Sequence, residues 1–176
     1  MSELEHFTFY CFEKDTILEY HLLLAEREAV IALGNLTIHG AMIDFYYNED
    51  DHSLVKVCGN LSVTNLISGS SIHVDGNLTV QSTIYANSYG LDTIKVEGTL
   101  QADVLIDEGH EIDCQTINVR AIYASPGMLP TYIKFRNAKK INPAIFVDKK
   151  LFTHFVDQRR LFKSISQGRP IVREGN

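Results

Sequence analysis

Four copies of one nine-residue pattern decide the fold. They are VIALGNLTI at residues 30–38, VKVCGNLSV at 55–63, IHVDGNLTV at 72–80 and IKVEGTLQA at 94–102. In each copy the residues two and four places before the glycine, and two and four places after it, are apolar, and most of the residues between them are polar. Alternation with a period of two is typical of β-strands. Each copy therefore predicts two short strands that meet at a glycine.

The spacing of the copies predicts how these strands assemble. The four glycines are 25, 17 and 22 residues apart, and a further apolar residue stands eight places after each of them: Met42, Ile67, Ile84 and Ile106. One coil cannot bury its inward side chains alone, but stacked coils form a continuous core. We therefore expect an all-β protein, a right-handed parallel β-helix of four to six coils. The handedness follows the preference of parallel crossover connections.

The residue after each glycine predicts a second regular feature. Asn35, Asn60 and Asn77 occupy the same place in three coils, so their amides are expected to stack as a ladder that Thr99 interrupts. Glycine before them suits a tight bend or a positive φ. The unequal intervals between the copies predict loops, a long acidic one at residues 44–53 and shorter ones at 86–92 and 107–113.

The segments on either side of the repeats predict caps. We expect an N-terminal cap at residues 1–28, the β-helix at 29–125 and a basic C-terminal capping segment at 126–176. Residues 6–12 predict a strand, and Asp15 is expected to cap a helix over the apolar residues 17–25. Asn142 and Pro143 predict the start of a helix at about 143–167, whose apolar stripe docks on the last coil. A helix on a membrane surface is the alternative for this segment.

The charge is distributed unevenly along the chain. From Pro130 onward eleven Lys and Arg stand against three Asp and Glu, a net charge of +8, whereas the first 129 residues carry five basic and nineteen acidic residues, a net charge of −14. An acidic body attracts basic partners and repels DNA. We expect the tail to dock on the acidic side of its own solenoid or of a second copy through Arg159, Arg160 and Lys163. We therefore expect no nucleic-acid binding.

Length and composition confine the chain to one broad class. Its 176 residues, of which 45% are hydrophobic and 22% charged, are typical of one globular domain and exclude a disordered or collagen-like chain. No apolar run is long enough to span a membrane, and the first residues lack the pattern of a signal peptide. The three cysteines lack metal-type spacing and suit reduced thiols. We expect a cytoplasmic protein with no membrane partner.

The chemical motifs of common enzyme classes are missing, and three acidic constellations remain. Residues 48–52, NEDDH, suit a divalent cation or a solvated loop. The segment 107–113 with Cys114 suits a hydrolase or metal site, or a plain acidic turn. Asp75 and Glu97 precede glycines on adjacent coils, and a close carboxylate pair would have a raised pKa, as in β-helical carbohydrate-active enzymes. Enzymes of that kind are longer, with wide clefts and aromatic sugar platforms, and this chain has no tryptophan, so we expect no enzymatic activity. We also expect no cofactor and no metal.

The repeat resembles that of two kinds of bacterial protein. The run V-x-V-x-G-N-L-x-V is similar to the repeat of bactofilins, cytoskeletal β-helices that polymerise end to end. Residues 30–114, with NLIS at 65–68 and an acidic loop between the first two coils, more closely resemble small bacterial β-helix proteins with GNLxV repeats. Members of that group resemble accessories of polymorphic toxin systems, which implies an immunity role. The irregular coils, long loops and long end segments depart from the bactofilin pattern.

We therefore expect a non-enzymatic protein-binding solenoid that neutralises a basic toxin domain by occluding it. A rigid face loses little ordering entropy on docking, and tyrosine is a frequent interface anchor. The expected contact residues lie in the acidic loop and at 107–108: Tyr46, Tyr47, Glu49, Asp50, Asp51, Asp107 and Glu108. The alternatives are that these loops only keep the solenoid soluble, or that the chain is a bactofilin-like structural protein that self-assembles. Caps at both ends favour a monomer or homodimer over a filament.

Overall fold

The computed structural model describes residues 7–44, 52–88, 92–124 and 133–138, together with Lys163. Thirteen strands join in one sheet, and every pairing among the described strands is parallel. In chain order they are β1 (Thr8–Phe12), β2 (Thr16–Leu18), β3 (Leu22–Leu23), β4 (Glu28–Ala32), β5 (Leu36–Asp44), β6 (Leu54–Val57), β7 (Leu61–Ser68), β8 (Ser71–Val74), β9 (Leu78–Val80), β10 (Thr83–Ala86), β11 (Thr93–Asp107), β12 (Glu111–Ala124) and β13 (Ile133–Ala138).

The strands wind into a β-solenoid of about five turns with three faces. The first face stacks β1, β4, β6, β8, β11, β12 and β13 in that order. The second face begins with β2 and the third with β3, and both strands pair with β5. We call β1 to β3, together with Leu24, the N-terminal coil, residues 8–24. The parallel β-solenoid predicted from the repeats is confirmed.

The apolar rows of the repeat form the core. All twenty of their members are buried, and the four rows nearest the glycines point inward in register, as in the row of Val30, Val55, Ile72 and Ile94. At the strand spacing of about 4.8 Å, each side chain packs on its equivalents in the coils above and below. The spacing of the repeat therefore translates directly into one continuous hydrophobic column.

The fifth predicted row is only half correct. Met42 and Ile84 belong to the core, but Leu66 and Leu105 complete their row, while Ile67 and Ile106 are buried outside the main core cluster. The reason is that the coils of Met42 and Ile84 have one additional residue where the second face turns into the third. In the coil of Met42 this residue shifts the register between Ile38 and Ala41. A slip of one residue exchanges the two faces of a strand.

The N-terminal segment is a coil of the solenoid, and the helix predicted after Asp15 is wrong. The strand predicted at residues 6–12 is confirmed as β1, whereas residues 16–18 and 22–23 form β2 and β3. Apolar residues at 17, 18, 22 and 23 fit a helix or two short strands. Parallel pairing decides between them, because it places Leu18 beside Ile38 and Leu22 beside Met42 as a further layer on the core.

The far end of the solenoid extends past the predicted last coil. Strand β12 ends at Ala124, close to the predicted boundary, but β13 then adds one more parallel strand within the segment assigned to the cap. The helix predicted at about 143–167 lies outside the described residues, apart from Lys163, which is helical and exposed.

Candidate functional site

The N-terminal coil exposes an unusual number of large apolar side chains. Phe9, Ile17, Tyr20 and Leu23 are 52%, 60%, 83% and 65% exposed, whereas the core residues of the next coil are fully buried. Phe12, Leu18 and Leu22 continue the core rows but are only partly buried. The last layer of the core is therefore open at this end of the described chain.

The backbone of the N-terminal coil is open as well. The N–H of Thr8 donates to the carbonyl of Arg27, and the carbonyl of Phe12 accepts from the N–H of Leu33. A parallel strand directs alternate residues to opposite neighbours, so Phe9 and Cys11 present their N–H and C=O groups to the other edge. No described strand pairs with that edge. On β2 and β3 the same alternation directs the main-chain groups of Ile17 and Leu23 away from the next coil, toward the open edge.

The open end is acidic. Five carboxylates and two basic side chains lie in residues 13–28: Glu13, Asp15, Glu19, Glu26 and Glu28 against Lys14 and Arg27. Hydrogen bonds from the Asn35 backbone and side chain lower the pKa of Asp15, which keeps it ionised. Glu28 accepts from the Tyr10 hydroxyl at 2.7 Å, and this bond raises the pKa of Tyr10. The segment that carries most of the exposed apolar side chains therefore has an excess of carboxylates, of which Asp15 and Glu19 already pair with Asn35 and His39 of the next coil.

The amide ladder is confirmed, and it begins at Asp15. In each coil a side-chain oxygen accepts, at 2.8 Å, the backbone N–H of the equivalent residue in the next coil. The acceptors are Asp15, Asn35, Asn60 and Asn77, and their donors are Asn35, Asn60, Asn77 and Thr99 in the same order. We call this edge the ladder corner. The sequence shows the missing rung, because residues 14–18 align with 34–38 and place Asp15 at the position of Asn35.

Glycine is required at the ladder corner because of close approach, since none of its four glycines has a positive φ. A Cβ at Gly59 would lie 2.7 Å from Oδ1 of Asn35 and 2.8 Å from the backbone carbonyl of Gly34. The absence of a side chain therefore lets each amide reach the coil above it.

The predicted carboxylate pair, Asp75 and Glu97, is neutralised by basic neighbours. Lys56 pairs with Asp75, and Lys95 Nζ lies 2.7 Å from Glu97 Oε1. His73 Nε2 lies 3.2 Å from Asp75 Oδ1 and 3.7 Å from Glu97 Oε1. Hydrogen bonds from the two lysines lower the pKa of both carboxyls, so the raised pKa predicted for this pair is wrong.

A second polar edge, which we call the acidic corner, lies where the third face turns into the first. It contains Asp44, Asp92, Asp107, Glu108 and His110, all buried. Ser68 Oγ donates to Asp44 Oδ2 at 3.1 Å, and burial raises the pKa of Asp44 to about 7, with a smaller contribution from the charge of Asp92. Asp92 accepts from Ser71 Oγ at 2.7 Å and lies 3.0 Å from His52 Nδ1.

Asp107 and Glu108 were expected on the surface, and the structure buries them instead, at 1% and 7% exposure. Asp107 Oδ1 accepts the backbone N–H groups of Gly109 and His110 at 3.0 and 2.9 Å, which stabilises the turn. Glu108 accepts from the Tyr85 hydroxyl at 2.6 Å. The turn is therefore part of the interior, so neither carboxylate is available to a partner from solution.

Two further ionisable groups at this turn, His110 and Cys114, are uncharged near neutral pH. Burial lowers the pKa of His110 to about 4, which keeps the imidazole neutral, and its ring nitrogens have no hydrogen-bond partner among the described residues. Burial raises the pKa of the Cys114 thiol to about 11, so it is not a thiolate near neutral pH. Among residues 7–44, 52–88 and 92–124, no three His, Cys, Asp or Glu side chains gather in a way that could hold a metal ion.

The other predicted contact residues lie outside the described part of the chain: Tyr46, Tyr47, Glu49, Asp50, Asp51, Arg159 and Arg160. Of the acidic loop predicted at residues 44–53, the structure describes Asp44, His52 and Ser53, and of the three predicted tail contacts it describes Lys163. The exposed residues of the N-terminal coil were missed because the segment was interpreted as a helix. Alignment of residues 9–18 with the following repeat carries the signal that would have found them.

No helix among the described residues is long and apolar enough to cross a membrane. Compared with protein-family models, with curated proteins and with solved structures, the chain gives no match in any of the three.

Proposed function

We propose that this chain is a non-enzymatic, cytoplasmic protein-binding solenoid of the toxin-neutralising type, which occludes a basic protein domain. The observation that carries the proposal is the open N-terminal coil, whose exposed apolar side chains lie within or next to a segment, residues 13–28, with five carboxylates and two basic residues. Apolar anchors with a charged rim are the usual anatomy of a protein interface. Charge of this sign accelerates encounter with a basic partner.

The state of the other carboxylates favours binding over catalysis. Asp75 and Glu97 lie on the surface, where lysines hold them ionised. The acids of the acidic corner are buried, and Asp44 and Asp107 accept hydrogen bonds from within the fold. A general acid needs a raised pKa together with access to a substrate. Neither the surface pair nor the acids of the acidic corner combine the two properties.

Two finer features of the architecture belong to the same proposal. We expect the coils to be right-handed, and a helix at about 143–167 to cover the last coil, with Arg159, Arg160 and Lys163 against acidic side chains. The acidic loop with Tyr46, Tyr47 and Glu49 to Asp51 would then form a second contact region on the side of the solenoid. The protein is proposed to act as a monomer or homodimer.

The test is recovery of the partner from the native cell. A tagged full-length chain should capture a basic toxin domain, form a stable complex with it after both are purified, and restore the growth of cells that express it. Purification in high salt should weaken the capture, because the attraction is electrostatic. Unchanged toxin resistance after deletion of the gene, together with no captured partner, would contradict the proposal.

Self-assembly is the second candidate, and the same open end favours it, since a parallel stack of coils can continue into another copy. Light scattering coupled to gel filtration separates the two proposals. We expect one small species at neutral pH. Long polymers would instead support a structural protein of the bactofilin kind.

A further inference from the structure

We propose that the partner binds by adding a basic, extended strand to the open edge of β1. This inference rests on the proposed protein-binding function and specifies its chemistry. The ligand is a segment of another protein in which apolar residues alternate with Lys or Arg. It would pair with the backbone of Phe9 and Cys11 and continue the solenoid by one strand.

The backbone geometry supports strand addition. Thr8 and Phe12 use their main-chain groups on β4, so those of the two alternate residues, Phe9 and Cys11, are directed to the open edge. An added strand would supply hydrogen bonds to both residues without disturbing the existing pairs. Recognition of this kind takes affinity from the main chain and specificity from alternate side chains.

The side chains define what the added strand must carry. Its inward residues would cover the half-exposed layer of Tyr10 and Phe12, which requires apolar groups. Its outward residues would lie beside Phe9 and Cys11, at an end of the solenoid where residues 13–28 carry five carboxylates and two basic side chains, and this excess favours Lys or Arg. A head-to-head contact with a second copy is the weaker occupant, because both copies would bring the same excess of carboxylates to it. A head-to-tail stack of copies is the alternative that the sedimentation measurement below excludes.

The experiment titrates full-length protein with three blocked ten-residue peptides and follows fluorescence anisotropy. One peptide alternates valine with lysine, one alternates valine with glutamate, and the third is the lysine peptide with N-methyl groups on alternate residues. We expect the lysine peptide to bind and the other two to bind at least about tenfold more weakly. The acidic peptide tests the charge, and the methylated one tests the backbone hydrogen bonds.

Two matched variants locate the site. Phe9→Lys places a positive charge on the edge strand and should weaken the lysine peptide about tenfold or more. Leu33→Lys makes the same change at another exposed apolar residue, one coil further along, and should leave binding unchanged. Both positions are on the surface, so both variants should fold, which their melting curves verify.

Five outcomes would overturn the proposal. Three concern the peptides: no binding of the lysine peptide at millimolar concentration, equal binding of the methylated peptide, or equal loss in the two variants. The fourth is sedimentation of the chain alone as an oligomer that Phe9→Lys dissociates, which would assign the edge to a second copy. If the peptide binds only after Arg159, Arg160 and Lys163 are changed to Glu, the chain's own tail occupies the edge, and the proposal is equally wrong.

Failure of this inference is distinguishable from failure of the proposed function. If a toxin is captured and the Phe9→Lys variant still neutralises it, the proposed function stands and strand addition at β1 is wrong. If the lysine peptide binds at the edge but no partner is found in the cell, strand addition stands and the proposed function is wrong.

Discussion

Two edges of the same solenoid hold polar side chains in opposite ways. At the ladder corner, one amide per coil accepts the backbone N–H of the next coil, and the amides remain partly in water. At the acidic corner, carboxyls and a histidine are buried, and burial shifts the pKa values of Asp44, Asp107 and His110 toward the neutral forms. Repetition thus supplies each polar group of the ladder with a hydrogen-bond partner. At the irregular corner, burial of ionisable groups instead makes the free energy of unfolding depend on pH.

The largest expected effect is a pH-dependent stabilisation by Asp44→Asn. Since the pKa of Asp44 rises from 3.8 to about 7 on folding, the wild-type carboxyl costs nothing below pH 4, and its cost grows as pH rises to 7. The variant should therefore gain on the wild type by up to about 4 kcal/mol over this range. Urea unfolding at a series of pH values measures the difference, and a difference independent of pH would contradict the raised pKa.

His110→Leu should show the opposite pH dependence. The pKa of His110 falls from 6.5 to about 4 on folding. The stability that depends on its neutral form is therefore complete above pH 6.5 and is lost as the pH falls toward 4. Relative to the wild type, the variant should gain up to about 3 kcal/mol on acidification. The two residues oppose each other in the wild type, so we expect its stability to vary less between pH 4 and 6.5 than that of either variant.

Gly59→Ala tests close packing at the ladder corner. The new Cβ would meet backbone atoms of Gly34 at 2.8 Å, which cannot move without shifting a coil, and we expect a loss of about 3 kcal/mol in the free energy of unfolding. Cys58→Ala, at the exposed neighbouring position, is the control and should change little. A loss below about 1 kcal/mol would show that the corner relaxes easily.

Asn60→Ala tests the hydrogen bonds of the ladder without overpacking it. Its side chain bonds Asn35 and accepts the backbone N–H of Asn77, so we expect a loss of about 1.5 kcal/mol. Ser62→Ala, two residues further along the chain and outside the ladder, should cost less. Equal losses in the two variants would mean that the ladder contributes no more than an ordinary surface hydroxyl.

The smallest expected effect is that of Lys95→Met, beside the ladder corner. Because Lys95 and Glu97 are both half-exposed, we expect little change in stability, and none in high salt. The pKa of Glu97, measured by NMR, should nevertheless rise toward its ordinary value, since the bond from Lys95 is the main cause of its lowering. An unchanged pKa would assign the effect to His73 instead.

The contrast between the corners also explains which parts of the site were predictable. The ladder was evident because its residues recur in register with the glycines. Burial of Asp107 and Glu108 was not evident, because acidic residues in a turn are usually solvated. Hydrogen bonds from Tyr85, Gly109 and His110 help to offset their desolvation. The open end was missed because residues 17–23 suit two periodicities equally well.

The sequence by itself determined the parallel solenoid, the four inward rows nearest the glycines and the ladder, because each depends on a local period that stacking repeats. Only the tertiary structure decided the register of the fifth row, the coil formed by residues 8–24 and the protonation of Asp44 and His110. Those depend on which residue lies beside which in the next coil and on how far water is excluded. Neither quantity is encoded in the period of a single strand.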